Sequence, residues 1–176
     1  MTDLVYIDTE TTGLDPNLHE IWEIAWAVND GDIMSRNLPH SLITADPQAL
    51  AMNGYYDRGL FAYEDQEFLD VKLKKILTGN TLVAANPAFD AAFLRARWGV
   101  APWHYRMIDV ESMALGILGY DRPKGLAGIV TDVRELGYTI HQPSHSALSD
   151  VVALRDCYRA LRDIMKGDWE KKYEQP

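Results

Sequence analysis

The stretch that decides the fold is "DTETTG", residues 8–13, which follows the apolar run LVYI at residues 4–7. Asp8 and Glu10 stand two residues apart at the end of a predicted buried strand. Because alternate residues of a strand share one face, we expect both carboxylates to project into one crevice. Close carboxylates repel each other unless a cation lies between them, and such oxygen ligands suit Mg²⁺ or Mn²⁺. Taken alone, the pair favours a simpler interpretation, in which Asp8 caps a turn and Glu10 is solvated.

The composition is that of an ordinary globular protein, with 176 residues of which 47% are hydrophobic and 24% charged. We expect one domain over residues 1–166 and a solvated tail over residues 167–176. No stretch approaches the roughly 18 to 20 apolar residues of a membrane span, and the N-terminus lacks the features of a signal peptide. The single cysteine, Cys157, cannot form an internal disulfide. We therefore expect a cytoplasmic protein that does not bind membranes.

The order of predicted elements indicates a mixed α/β fold. Strands are predicted over residues 4–8, 21–28 and about 33–43, and the short turns between them are typical of an antiparallel meander. Two later strands, at residues 81–84 and about 105–109, alternate with helices, the last of which covers about residues 146–166. The pattern predicts a five-stranded sheet flanked by helices, in which a three-strand antiparallel meander is joined by two parallel strands.

Two further acidic sites lie beyond the meander. Asp90 follows the short strand at residues 81–84 and falls in the first turn of the next helix, where an acid is also a common partner of the helix dipole. His145 and Asp150 lie at the start of the predicted last helix. Five residues of a helix turn through about 500°, so two helical positions at this spacing would not share a face. We therefore expect His145 on the loop after Pro143, folding back toward Asp150, although a loop histidine is usually just solvated.

Three motifs together resemble a known family. They are D-x-E after the first strand, N-x-x-F-D at residues 86–90 and H-x-x-x-x-D at residues 145–150. In order and spacing they resemble the motifs of the DEDD exonucleases, in the histidine-containing DEDDh or DnaQ-like branch. The stretch WEIA at residues 22–25 also resembles the family's second strand. The resemblance runs from about residue 4 to 161 and implies a ribonuclease H-like fold and hydrolysis of nucleic acid from the 3′ end to nucleoside 5′-monophosphates.

The resemblance also implies a role for each motif residue. Asp8 would bridge two divalent cations, Mg²⁺ or Mn²⁺, with Glu10 and Asp150 completing the first site and Asp90 holding the second. Two cations roughly 3.5 to 4 Å apart can stabilise the attacking and leaving oxygens of an in-line displacement. His145 would be the general base, since an unperturbed histidine with a pKa of about 6.5 accepts a proton near neutral pH.

The residues after the first motif are predicted to hold substrate. By resemblance, Thr11, Thr12, Gly13 and Leu14 would contact the 3′-terminal nucleotide, together with Asn86 of the second motif. Gly13 permits close approach of the backbone, and Leu14 can wedge against a base. The same residues also form a good turn that needs no ligand.

The net charge of −9 argues against broad, charge-driven binding of nucleic acid. An exonuclease grips only a few terminal nucleotides, so bound cations and a few basic side chains can suffice. Arg122 and Lys124, in a Pro-containing turn, are the candidates for phosphate contact, and a solvated loop is the alternative. Phe89 is predicted as a core residue, whereas stacking on a base is left open for Tyr55, Tyr56 and Phe61.

The chain departs from the family pattern at two positions. Many relatives carry histidine where this chain has Asn53 and Ala85, which puts substrate choice and turnover in doubt but not the reaction class. Single-stranded DNA and RNA ends both remain candidate substrates, and an oligoribonuclease-like or RNA-trimming enzyme is the main alternative. A catalytically silent nucleic-acid-binding module is a further one. A homodimer, or a polymerase or repair partner, is also left open.

Overall fold

The computed structural model describes residues 2–58 and 66–167. The predicted C-terminal tail therefore lies almost wholly outside the described residues, as does Phe61. Trp22, Trp98 and Trp103 are all buried in the core, so these tryptophans do not form an exposed apolar patch. Among the described residues, no helix has the length and apolar character that a membrane crossing requires.

A single mixed sheet organises the chain. Its strands are β1 (Leu4–Thr11), β2 (Ile21–Val28), β3 (Met34–Asn37), β4 (Thr81–Ala84) and β5 (Ile108–Asp109), arranged in the order β3-β2-β1-β4-β5. β1, β2 and β3 form an antiparallel meander, and β4 and β5 continue the sheet in parallel with β1. The predicted α/β fold with its five-stranded sheet is confirmed.

Helices cover both faces of the sheet. They are α1 (Pro47–Met52), α2 (Gln66–Leu77), α3 (Pro87–Trp98), α4 (Val110–Leu118), α5 (Leu126–Glu135) and α6 (Ala147–Met165), with a short 3-10 helix at Tyr55–Asp57. One apolar cluster joins α4, α5 and α6 to one face, and a second joins α2 and α3 to the other. The two clusters explain why β1 and β4 read as nearly continuous apolar runs, since both faces of these strands are covered.

Three strands differ in length from the sequence prediction. β1 continues through the first motif to Thr11, because this segment pairs with β2 up to a register shift after Glu10. β3 is four residues long rather than about eleven, and it ends before Pro39, which has no N–H to donate to a ladder. β5 is a two-residue strand, and Tyr105, inside its predicted range, is exposed.

The topology brings three chain segments to one edge of the sheet. β1 and β4 are parallel neighbours, so their carboxyl ends lie side by side, and α3 begins directly after β4. The long helix α6 packs across β1 and β2. The end of β1 and the first turns of α3 and α6 therefore meet, and these segments carry the motif residues.

Candidate active site

Asp8 and Glu10 project from one face of β1, as their spacing predicts. In the ladder with β2, Asp8 stands opposite the small Ala25 and Glu10 opposite Glu23. Asp150 reaches the same place from the first turn of α6, which Ser146 caps with its side chain. Carboxylate oxygens of Asp8, Glu10 and Asp150 all lie within 4.8 Å of one another. Three acids from two distant segments are thus gathered at a spacing that suits a shared cation.

Asp90 borders the same cavity from the first turn of α3. It is only 5% exposed, and the Thr9 hydroxyl donates a hydrogen bond of 2.8 Å to Asp90 Oδ1. The cavity has a volume of about 250 Å³, and the four acids and His145 are among its lining residues. The predicted catalytic residues are therefore brought together around one space.

Burial and mutual repulsion oppose ionisation of these acids. Burial raises the pKa of Asp8 well above its usual value, and Asp90, Glu10 and Asp150 raise it further. Burial and then Asp150 raise the pKa of Glu10 to about 9, although Arg58 acts in the opposite direction. Burial also raises the pKa of Asp90 to about 7, against the lowering effect of the Thr9 hydrogen bond. Divalent cations relieve this kind of repulsion, so the donor set fits the Mg²⁺ or Mn²⁺ predicted from the motifs.

His145 lies on the loop before α6, as predicted, and its side chain is exposed. Its φ of +55° is in the left-handed region, which a residue with a β-carbon seldom occupies. The N–H of the preceding Ser144 donates a 3.0 Å hydrogen bond to Asp150 Oδ1, so the loop folds back over the carboxylates. On the other side, Arg58 donates to the carbonyl oxygen of His145.

A second cleft of about 240 Å³ adjoins the carboxylate cavity. The two spaces share Thr9, Glu10, Phe89 and His145 as lining residues. The rest of the cleft has a largely apolar surface, and its lining includes Leu14 and residues of α1, Met52 among them. An apolar space beside a group of acids can hold a flat or apolar ligand whose polar end reaches the acids.

The predicted substrate residues of the first motif divide into two groups. Thr11 and Leu14 line the apolar cleft. Thr12 is fully buried, and its hydroxyl accepts a hydrogen bond from the N–H of Glu20 at 2.9 Å. A β-carbon on Gly13 would come within 2.5 Å of the His19 ring. The contacts of Thr12 and Gly13 are thus with the protein, and their predicted contact with substrate stays a prediction.

The other predicted residues lie in different places. Asn86 borders the carboxylate cavity. Arg122 and Lys124 line a separate cavity beside Tyr120, and Lys124 pairs with Asp132, so the structure does not bring them to the acids. Their role in phosphate contact stays a prediction.

Phe89, predicted as a core residue, packs against Phe93 but also borders both site cavities. Tyr55 is half-buried, and its hydroxyl lies 2.7 Å from His40 Nε2. The question of base stacking at Tyr55 stays open.

Several residues of the site were not singled out from the sequence. Met52 and its neighbours on α1 line the cleft, and Arg58 and Glu23 hold the His145 loop. Asn53, noted only as a departure from the family, lines the cleft and donates a 3.0 Å hydrogen bond to the carbonyl of Thr11. The sequence could have indicated a role for Glu23, since a charged residue inside an apolar strand is buried only where it has partners.

No protein-family model and no curated protein sequence matches the chain. Solved structures do match in fold. The zinc-bound complex of E. coli exonuclease I with single-stranded DNA is 18% identical with a TM-score of 0.69, covering 98% of this chain and 42% of that one. The Mg²⁺- and Mn²⁺-bound form of S. pombe Pop2p is 16% identical with a TM-score of 0.70, covering 92% and 83%. Exonuclease I from Methylocaldum szegediense is 16% identical with a TM-score of 0.65, covering 97% and 42%.

These matches confirm the predicted ribonuclease H-like fold and the resemblance to DEDD-type exonucleases at the level of fold. The chain spans less than half the length of the exonuclease I proteins that it matches.

Proposed function

We propose that this chain is a metal-dependent 3′-to-5′ exonuclease that acts on single-stranded nucleic acid. The observation that carries the proposal is the gathering of Asp8, Glu10 and Asp150 within 4.8 Å beside Asp90 and His145. The fold neighbours support it, since one is an exonuclease in complex with single-stranded DNA and another is a Mg²⁺- and Mn²⁺-bound protein.

The four acids would hold the metal. Asp8, Glu10 and Asp150 are close enough to share one divalent cation, and Asp90 faces the same cavity and would help to hold a second. When bound, Mg²⁺ or Mn²⁺ supplies the positive charge that stabilises the attacking and leaving oxygens and makes water a stronger nucleophile.

His145 would act as the general base. Its exposed ring borders both the carboxylate cavity and the apolar cleft, so it stands where the substrate and the acids meet. A neutral imidazole there can take a proton from the attacking water as its oxygen bonds to phosphorus and the bond from phosphorus to the 3′ oxygen breaks. The released nucleoside keeps the 5′-phosphate, and the shortened strand leaves with a 3′-hydroxyl after its oxygen takes a proton from solvent. The loop position also leaves the ring free to adjust as substrate enters.

The apolar cleft would hold the terminal nucleoside. Leu14 and Met52 are 73% and 70% exposed, and both line this cleft. Apolar side chains of this kind gain favourable contact when an unpaired base covers them, whatever the base is. Paired bases would first have to separate, which favours single strands over duplex ends.

End-labelled oligonucleotides test the proposal directly. Single-stranded DNA and RNA of one sequence, each labelled at the 3′ or the 5′ end, are incubated with Mg²⁺ or Mn²⁺. We expect the first product to be the labelled 3′-terminal mononucleotide, and Asp150→Asn to lower the rate at least about 100-fold through loss of a carboxylate ligand. Asp156→Asn on the same helix is the matched control, since Asp156 pairs with Arg159 and does not border the cavity.

The results decide the proposal and its finer points. Release of the 5′-terminal nucleotide, or equal activity of Asp150→Asn and wild type, would refute it. Binding of oligonucleotides without cleavage would favour the silent module instead. The DNA and RNA arms decide the sugar preference, and gel filtration of the same sample decides between monomer and homodimer. The proposal also includes a cytoplasmic location and a single domain over residues 1–166, and it leaves a polymerase or repair partner open.

A further inference from the structure

We infer that Arg58 and Glu23 form a clamp that positions His145 for catalysis. The inference rests on the proposed function, because it assigns a task to two residues outside the metal and nucleotide contacts. Arg58 follows the short 3-10 helix after α1, and Glu23 lies in β2, so neither is close in sequence to the loop that they hold.

Arg58 reaches three groups at once. Its Nη1 donates to Glu23 Oε2, and its Nη2 donates to the carbonyl oxygen of His145. Its guanidinium carbon lies 5.0 Å from the centre of the Trp22 ring, which supports the planar group from one face. The rigid fork of a guanidinium suits this arrangement, because two nitrogens in fixed geometry bridge two different acceptors.

Glu23 ties the other side of the loop. The same Oε2 that accepts from Arg58 also accepts a 3.0 Å hydrogen bond from the N–H of Ala147, the first residue of α6. The hydroxyl of Ser35 donates to Glu23 Oε1 at 3.3 Å, so both carboxylate oxygens have partners. A nearly buried carboxylate with this many donors is fixed in place, and it fixes the chain on both sides of residue 146.

The clamp acts at the point where the backbone is strained. His145 has a φ of +55°, and a residue in this region persists there only where surrounding contacts hold it. The Ser146 cap and the Glu23 bond to Ala147 already secure the start of α6. Arg58 adds a bond to His145 itself, which the helix start does not need. That bond sets where the exposed imidazole stands relative to the two cavities.

The matched experiment compares two arginines. Arg58→Ala removes the clamp, and Arg97→Ala is the control, because Arg97 also pairs with a carboxylate, Asp70, and its side chain is similarly exposed (18% against 21%). We expect Arg58→Ala to lower kcat about 10- to 100-fold with KM within about twofold, since the general base is misplaced but the nucleotide cleft is intact. Added guanidinium ion should restore part of the rate to Arg58→Ala and none to the control.

A double-mutant cycle separates positioning from direct action. If Arg58 works through His145, then Arg58→Ala adds little to the loss already caused by His145→Ala. Losses that multiply in the double variant, or a raised KM with unchanged kcat, would overturn the inference. Arg58→Lys covers the case in which Arg58→Ala fails to fold. Its ammonium keeps the charge but cannot bridge two acceptors as a fork, so kcat should again fall, and full activity would overturn the clamp.

A readout without substrate keeps this test apart from the proposed function. If the wild type cleaves no oligonucleotide, the proposed function fails, and the clamp is judged by the backbone amide NMR signals of residues 144–147. We expect these signals to shift or broaden in Arg58→Ala and to stay in place in Arg97→Ala. Unchanged signals in Arg58→Ala would show that the arginine does not hold the loop.

Discussion

Replacing Glu10 by glutamine should stabilise the metal-free protein while it abolishes metal-dependent activity. The carboxyl of Glu10 is buried beside Asp150 and Asp8, so its ionised form is unfavourable when no cation is bound. Glutamine has nearly the same shape and carries no charge. Residues that serve function at a cost to stability behave in this way, whereas a residue that serves the fold loses stability when it is replaced.

The magnitude follows from the pKa of Glu10, which is about 9 in the folded protein and 4.5 in its usual setting. Because the folded value is raised, stability is lost as pH rises from the unfolded value through the folded one. Up to pH 7 this loss extends over about 2.5 pH units at ~1.4 kcal/mol each, or about 3 kcal/mol. For a chain of this length, that corresponds to roughly 6 to 12 °C in Tm.

Calorimetry in EDTA at pH 5, 7 and 9 measures the effect. We expect the Tm of Glu10→Gln to exceed that of wild type by little at pH 5 and by most at pH 9. Glu135→Gln, on the exposed end of α5, removes one charge elsewhere and should show no such trend. When Mg²⁺ replaces EDTA, we expect the wild type to have the higher Tm, because bound cation stabilises the wild type more than it stabilises Glu10→Gln. A Glu10→Gln variant that is less stable than wild type at pH 7 and 9, or a gain that is independent of pH, would refute the reasoning.

Two further predictions concern the turn after the first motif. Gly13→Ala should lower the free energy of unfolding by about 1 to 2 kcal/mol, because the new methyl group meets the His19 ring at 2.5 Å and displaces it from its hydrogen bond with Asp15. Calorimetry measures this loss, and it should vanish when His19→Ala is also present; a persistent loss would contradict the clash. Leu14→Ala should leave stability within about 0.5 kcal/mol but raise KM for oligonucleotide roughly 5- to 20-fold, through lost contact with the base. Leu18→Ala, exposed beside a different cavity, is the control, and equal KM values for the two variants would contradict the assignment of the cleft.

The positions of the motif residues within their own segments could be predicted because they depend on short-range rules. Strand alternation placed Asp8 and Glu10 on one face, and the helix turn placed His145 off the helix that carries Asp150. The position of Asp90 follows from the parallel pairing of β1 and β4, which sets the start of α3 beside the end of β1. That the three segments meet at one site was predicted from the resemblance of their motifs to the exonuclease family.

The apolar cleft and the contacts of Arg58 and Glu23 could not be predicted in this way. Arg58 and His145 are 87 residues apart, and Glu23 and Ala147 are 124 apart, so the first contact depends on where the chain after the 3-10 helix lies and the second on how α6 packs against β2. No periodic pattern in the sequence predicts packing of this kind. Arg122 and Lys124 line a separate cavity beside Tyr120, and Lys124 pairs with Asp132, so closeness in sequence to the third motif did not indicate where they lie.

The excess of acidic residues in the chain affects how it can bind nucleic acid. Among residues 2–58 and 66–167, no lysine or arginine lines either site cavity, and Arg58, the nearby cation, already pairs with Glu23 and the His145 carbonyl. A phosphate entering the carboxylate cavity would therefore find no positive charge to pair with unless divalent cations were bound there first. Under the proposed function, cation and oligonucleotide each raise the affinity of the protein for the other, and by the same factor. The net charge of −9 would then oppose binding along the length of a nucleic acid, whereas a strand end that contacts the bound cations gains enough binding free energy to overcome it.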